Sequence, residues 1–210
     1  MTETREIIAY TDYKSPYAYL AKDLTYELER DFGVAIRWRP YILDIPSFLG
    51  SARVTAGGEV VEQDRNAHQW RRVRYSYMDC RRQAGKRGLV IRGPLKIWDS
   101  TLAGVGMLYA QRVGSEVFRR YHDTVFERFW LRSLDIEDTA VISSVLTEAG
   151  ADGAGFATFA EAGRAKVAAI SRAAEGLGVF GVPSFVLGEE LYWGREHLPE
   201  IREMLAHSLR

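Results

Sequence analysis

The chain has 210 residues, 47% of them apolar and 27% charged, which suits one soluble globular domain or one domain carrying a large insertion. Its 28 basic and 28 acidic side chains cancel, so net charge gives no argument for nucleic acid or for an anionic membrane surface. The single cysteine excludes an internal disulfide and a cysteine-rich metal site and favours a reducing, cytoplasmic compartment, and there is no run of about 18 apolar residues to span a membrane.

The first ten residues, MTETREIIAY, lack a basic stretch followed by a long apolar one, so no signal peptide is expected. Ile7, Ile8, Tyr10 and Tyr13 form a β-prone run, read as a first strand. Pro16 then opens a helix, a position proline suits. Tyr17, Leu20, Ala21, Leu24 and Leu28 give it an apolar stripe, and Gly33 ends it. Val34, Ile36 and Trp38 alternate with Ala35, Arg37 and Arg39 in a second strand, stopped by Pro40. A crossover this short predicts two parallel strands in a right-handed β-α-β unit.

Residues 50–62 are small and glycine-rich and read as a mobile loop. Between Arg65 and Arg87, eight basic residues stand against one acid, Asp79, with Trp70, Tyr75 and Tyr77 interleaved. A nucleic-acid contact, a solvated helix face and arginines aimed at a ligand carboxylate are the three readings of this segment. Helical spacing then recurs over Leu102 to Val113, Glu116 to Leu131, Ile136 to Ala149 and Phe156 to Leu177, with Asp135 and Asp138 suited to a helix start. Cys80 falls in the arginine-rich segment and reads as a buried helix residue. The four histidines are scattered and show no metal-ligand spacing.

The end of the chain has the order β-β-α. Ser184 to Leu187 and Leu191 to Trp193 are strands around a turn at Gly188–Glu190. A closing helix carries Leu198, Ile201, Leu205 and Leu209 on one face. β-α-β followed by β-β-α is the order of a thioredoxin-type fold, here with a long helical stretch between the halves. The expected division is a thioredoxin-like domain of residues 1–50 and 166–210 and an inserted helical domain of residues 51–165.

Two corners could carry chemistry. Ser15 sits where the first strand turns into the first helix, among unpaired N–H groups at the positive end of the helix dipole. It is either a plain helix cap or part of a site. In GVFGVPSF, Gly178 to Phe185, Pro183 holds Val182 extended just before a strand; this is either a specified turn, with a cis Val182–Pro183 bond among its options, or an ordinary loop.

Together, SPYAYLA, GVFGVPSF and LYWGREHL resemble the 2-hydroxychromene-2-carboxylate isomerase and kappa-class glutathione transferase family, a branch of the DsbA-like thioredoxin superfamily. The resemblance implies an α/β thioredoxin-like fold with a large inserted helical domain and a glutathione-dependent enzyme. It places Ser15 where redox relatives carry the first cysteine of a Cys-x-x-Cys motif, so Ser15 is the expected catalytic residue, holding the glutathione sulfur. Tyr17, Val182, Pro183, Arg195 and Glu196 are the other implied glutathione contacts. Val182 would pair through its backbone, and Glu196 would stand where the family commonly has an aspartate. Tyr75, Asp79 and Arg82 match a Tyr, Asp, Arg spacing of isomerase-type members and are the implied substrate contacts. Arg195 and His197 depart from the family pattern, and residues 50–62 lack its usual asparagine and lysine. The implied partner is a small aromatic substrate, with no nucleic acid, membrane or metal, and a homodimer is allowed. A kappa-type transferase and a non-catalytic binding module of the DsbA family are the alternatives.

Overall fold

A computed structural model describes residues 6–207. The first half of the sheet forms as its periodicity predicts. β1 (Glu6–Thr11) pairs in parallel with β2 (Ala35–Pro40), joined by helix α1 (Pro16–Phe32). Pro40 is the last residue of β2, opposite Thr11. β2 lies at the sheet edge, where a missing ladder donor is tolerated. Gly33 ends α1 in the left-handed region at φ 63°, and its N–H bonds the Glu29 carbonyl.

The closing hairpin completes the sheet. β5 (Ser184–Leu187) pairs antiparallel with β1, and β6 (Glu190–Trp193) pairs with β5, giving the order β2-β1-β5-β6. β1 and β5 are the central pair, so the residue after β1 and the residue before β5 share one end of the sheet. A 3-10 turn at Arg195–His197 leads into α8 (Leu198–His207), which packs with α1. Leu198, Ile201 and Leu205 are buried as their spacing predicts, while Leu209 lies outside the described residues.

Between the halves stand α2 (Ile45–Leu49), α3 (Ala67–Gly85), α4 (Thr101–Val113), α5 (Ser115–Trp130), α6 (Thr139–Ala149) and α7 (Gly153–Gly176). α4 and α7 pack on β2 and on each other, and α7 runs unbroken across residues 165 and 166. The expected start of α6 at Ile136 shifts to Thr139, because Asp138 caps the Ala140 and Val141 N–H groups. Ile136 is fully buried from the loop before it, which is why its side chain read as part of the helical stripe. The short α2 carries no apolar repeat and was not expected.

Residues 50–62 are a correction to the expected loop. They contain β3 (Ala52–Val54) and most of β4 (Val60–Gln63), an antiparallel pair with a register shift at Arg53/Val54. The strands are three and four residues long and β4 is exposed throughout. Too short for a visible alternation, they are held from outside, by Val54 N–H on the Leu95 carbonyl and by Trp70 Nε1 on Gln63.

Candidate active site at the end of the first strand

After Thr11 the chain turns, with the Ser15 N–H on the Asp12 carbonyl at 3.0 Å. Ser15 is extended (φ −92°, ψ 115°) and caps α1, its Oγ accepting from Ala18 N–H at 3.2 Å. The cap reading is therefore correct, and it is incomplete. The same Oγ donates to the Val182 carbonyl over 3.4 Å, across 167 positions of chain. Ser15 and Val182 are both buried, at 4% and 7% exposure. The Val182–Pro183 peptide is cis, and the Pro183 carbonyl accepts from Gly194 N–H at 2.9 Å. The two corners singled out in the sequence are thus one place.

The floor of this corner is polar and was missed. Asp12 is 1% exposed; its carboxylate accepts from the Lys14 N–H at 3.1 Å and the Leu43 N–H at 2.8 Å, and lies 3.6 Å from the Lys14 ammonium. It ties the β1 exit to the β2 exit. Burial pushes the Asp99 carboxyl up, but hydrogen bonds from Thr101 and the charges of Lys14 and Arg164 outweigh it and hold the group below its ordinary value. An acid three residues before a helix-capping serine was the available signal for Asp12.

Tyr17, the second residue of α1, reaches α3. Its hydroxyl donates to Asp79 Oδ2 at 3.2 Å, and Arg82 Nη2 bonds the other carboxylate oxygen at 2.5 Å. Desolvation opposes the Asp79 charge, but bonds from Arg82, Tyr17 and Gln83 prevail and keep its carboxyl below the usual range. Burial, then the adjacent Cys80 and Asp79, push the Tyr17 phenol well above its ordinary value. Cys80 is fully buried, as expected. Burial, only partly offset by the Tyr17 hydroxyl and the Arg195 charge, pushes its thiol up to about 11. Tyr75 is exposed and stands beside Arg82.

The 3-10 turn at Arg195–His197 packs against α1, and the charge of the half-buried Arg195 acts on Cys80. The Glu196 carboxylate folds over Gly194, whose φ of 107° needs glycine and where a Cβ would stand 2.5 Å from it. Ser15 and Val182 thus meet at the N-terminus of α1, with Pro183 beside them, and Tyr17 joins that end of the helix to Asp79 and Arg82, with Arg195 on the Cys80 side and Glu196 and Tyr75 at the margin. Several arginines of the basic segment serve elsewhere. Arg65, Arg81 and Arg87 donate to the carbonyls of Gly50, Ile91 and Leu20. Arg71, Arg72 and Arg74 lie on the exposed face of α3.

Chemically, the corner offers a hydroxyl donor and a helix N-terminus, which stabilise an anion such as a thiolate. Positions 15 and 18 hold serine and alanine, so the corner has no sulfur for disulfide exchange. Among the described residues no cluster of three or more His, Cys, Asp or Glu is placed to hold a metal, and no helix is long and apolar enough to cross a membrane.

A family model described as a DSBA-like thioredoxin domain matches residues 6–206. The chain is 25% identical over 204 residues to a 2-hydroxychromene-2-carboxylate isomerase of Sphingobium xenophagum, covering 96% of this chain and 98% of that protein. It is 28% identical over 198 residues to one of Pseudomonas putida, with 90% and 88% covered. Among solved structures, a 2-hydroxychromene-2-carboxylate isomerase aligns with a TM-score of 0.75 at 23% identity, covering 98% of this chain and 96% of that one. The cytosolic disulfide reductase DsbM of Pseudomonas aeruginosa, solved with GSH, aligns with a TM-score of 0.64 at 18% identity, covering 98% and 99%.

Proposed function

The chain belongs to the DSBA-like thioredoxin domain family, and on that footing we propose that it is a glutathione-dependent isomerase of the 2-hydroxychromene-2-carboxylate type. The observation that carries this reading is the Ser15 Oγ contact with the Val182 carbonyl, at a helix N-terminus from which both redox sulfurs are missing. Such a corner fits a ligand that brings its own thiol. The isomerase names of the curated relatives, at near full coverage, point the same way.

Ser15 would hold the glutathione sulfur. Its hydroxyl swings from the Val182 carbonyl to donate to the ligand, and the α1 N-terminus adds a positive potential. Lowering a thiol pKa by about 2 units corresponds to about 2.7 kcal/mol in favour of the thiolate. Val182, fixed beside Pro183, would present its backbone to the ligand as an added strand does. Arg195 and Glu196, at the opening of the last helix, would take its charged end, Arg195 pairing with a carboxylate and Glu196 with an ammonium. Tyr17 would stand beside the ligand at the same corner. When bound, glutathione would supply a thiolate nucleophile for reversible addition to an electrophilic carbon of the substrate. Asp79 and Arg82, with Tyr75 beside them, orient the acidic aromatic substrate, the Arg82 guanidinium facing its carboxylate.

The test is turnover of 2-hydroxychromene-2-carboxylate with and without glutathione, alongside calorimetry with glutathione alone. Glutathione-dependent formation of the open-chain isomer supports the proposal. A conjugate accumulating in place of the isomer assigns the same corner to a kappa-type transferase. Absence of glutathione binding at millimolar concentration overturns both.

A further inference from the structure

Phe180 and Trp193 are 62% and 50% exposed, yet their rings lie 4.8 Å apart at 50°. Among the described residues they are the one ring pair in which both members are large, exposed apolar side chains. Exposed aromatic side chains held in contact with each other offer a flat apolar surface on which a ligand ring can stack.

The pair is fixed from behind. The Trp193 indole covers Gly181 so closely that a Cβ there would stand 2.7 Å from its Nε1. Trp193 opposes Ser184 in the β5–β6 ladder, and the next residue, Gly194, bonds the Pro183 carbonyl at 2.9 Å. Phe180 is two residues from Val182, so their Cα atoms are at most about 7 Å apart. The Val182 carbonyl is the group that Ser15 Oγ touches. A fused two-ring molecule spans a comparable length.

We infer that Phe180 and Trp193 form a stacking platform for the planar aromatic body of the second substrate, holding its reacting carbon beside Ser15. This rests on the glutathione reading and goes beyond it by naming the surface that selects flat aromatic electrophiles over aliphatic ones. Trp193 is also a built-in reporter. Trp38 and Trp130 are buried, Trp70 and Trp98 are half-buried, and Trp193 is the exposed tryptophan.

The experiment is a titration of glutathione-loaded protein with 2-naphthoate, a flat non-reacting probe, followed by tryptophan emission and by calorimetry. Saturable quenching is expected, with Kd raised about 3- to 10-fold in Phe180→Leu. Trp193→Phe keeps a ring, so it holds the calorimetric affinity within about twofold while losing most of the quench. The double variant Phe180→Leu/Trp193→Leu loses more affinity than Phe180→Leu, keeps its glutathione Kd, and shows a raised KM for an aromatic electrophile but not for an aliphatic unsaturated acid. Unchanged 2-naphthoate affinity in the double variant overturns the platform, as does equal loss towards aromatic and aliphatic electrophiles. Should the wild type bind no glutathione, the proposed function falls, and the same titration without glutathione still judges the platform.

Discussion

The Tyr13 hydroxyl and His122 Nδ1 share a hydrogen bond of 2.9 Å, joining the exit of β1 to the middle of α5, and both residues are almost wholly buried. Among the described residues the His122 Nε2 has no hydrogen-bond partner. Tyr26, Trp38, Phe118 and Phe126 surround the ring, so His122 is a core histidine.

Burial, then the charges of Lys22 and Arg119, hold the His122 pKa well below its ordinary value. The unfolded chain therefore takes up this proton first, at about pH 6.5. The stabilisation is present above that pH and is lost as pH falls towards the folded-state value. Thermal melts should thus drop between pH 7 and 5, and drop less in His122→Phe, which is weaker at pH 7 by about 1–3 kcal/mol because Tyr13 loses its buried hydrogen-bond partner. Equal acid slopes in the two proteins would refute the assignment.

Ser15→Ala separates cap from chemistry. Losing the cap costs about 1 kcal/mol, visible as a modest shift in denaturant midpoint. Glutathione-dependent turnover should fall about 10- to 1,000-fold, as on removing a donor aimed at developing charge. A variant with the stability loss and full turnover makes Ser15 a cap alone.

Cys80 should behave as a masked thiol. With its pKa pushed up to about 11 and no exposed surface, it should resist iodoacetamide at pH 8 in the folded protein and react fully in denaturant. Mass spectrometry counts the adduct; rapid labelling under native conditions contradicts the burial.

The Tyr17–Asp79 bond ties α1 to α3. A double-mutant cycle with Tyr17→Phe and Asp79→Asn should return a coupling of about 0.5–1.5 kcal/mol in denaturant unfolding. A coupling of zero means the bond contributes nothing in solution.

Two glycines should respond with opposite sign. A Cβ on Gly106 would stand 2.1 Å from the Tyr121 hydroxyl, which is buried and donates to the Ala103 carbonyl at 2.8 Å, so Gly106→Ala should destabilise by about 1–3 kcal/mol despite its better helix propensity. Gly176 has nothing within 4 Å of its Cβ position, and Gly176→Ala should be neutral to stabilising by up to about 1 kcal/mol. Calorimetric melting points decide both.

The parts of the fold legible in the sequence are those whose signals are local. Pro16, the stripe to Leu28, Gly33 and the alternation to Trp38 state β1-α1-β2 within forty residues, and Gly188 marks the β5–β6 turn. The β3–β4 hairpin was hidden because its strands are short, its middle is glycine-rich and its exposed β4 shows no alternation. Asp12 and His122 escaped for another reason. An aspartate after a strand looks like any turn residue, and the partner of His122 lies 109 positions away, where no periodicity connects them. The corner of Ser15 and Val182 was reached only because two weak motifs were considered together.

The strand order has a consequence for synthesis. β1 leaves the ribosome early with α1 and β2, but its other neighbour is β5, ending at Leu187. Until that point one side of β1 is an open edge, of the kind that recruits foreign strands. Ser15 can cap its helix throughout this interval, yet the carbonyl it will face has not been made. The corner is begun by the first tenth of the polypeptide and completed only once Val182 has been made, so no shorter nascent chain can display it.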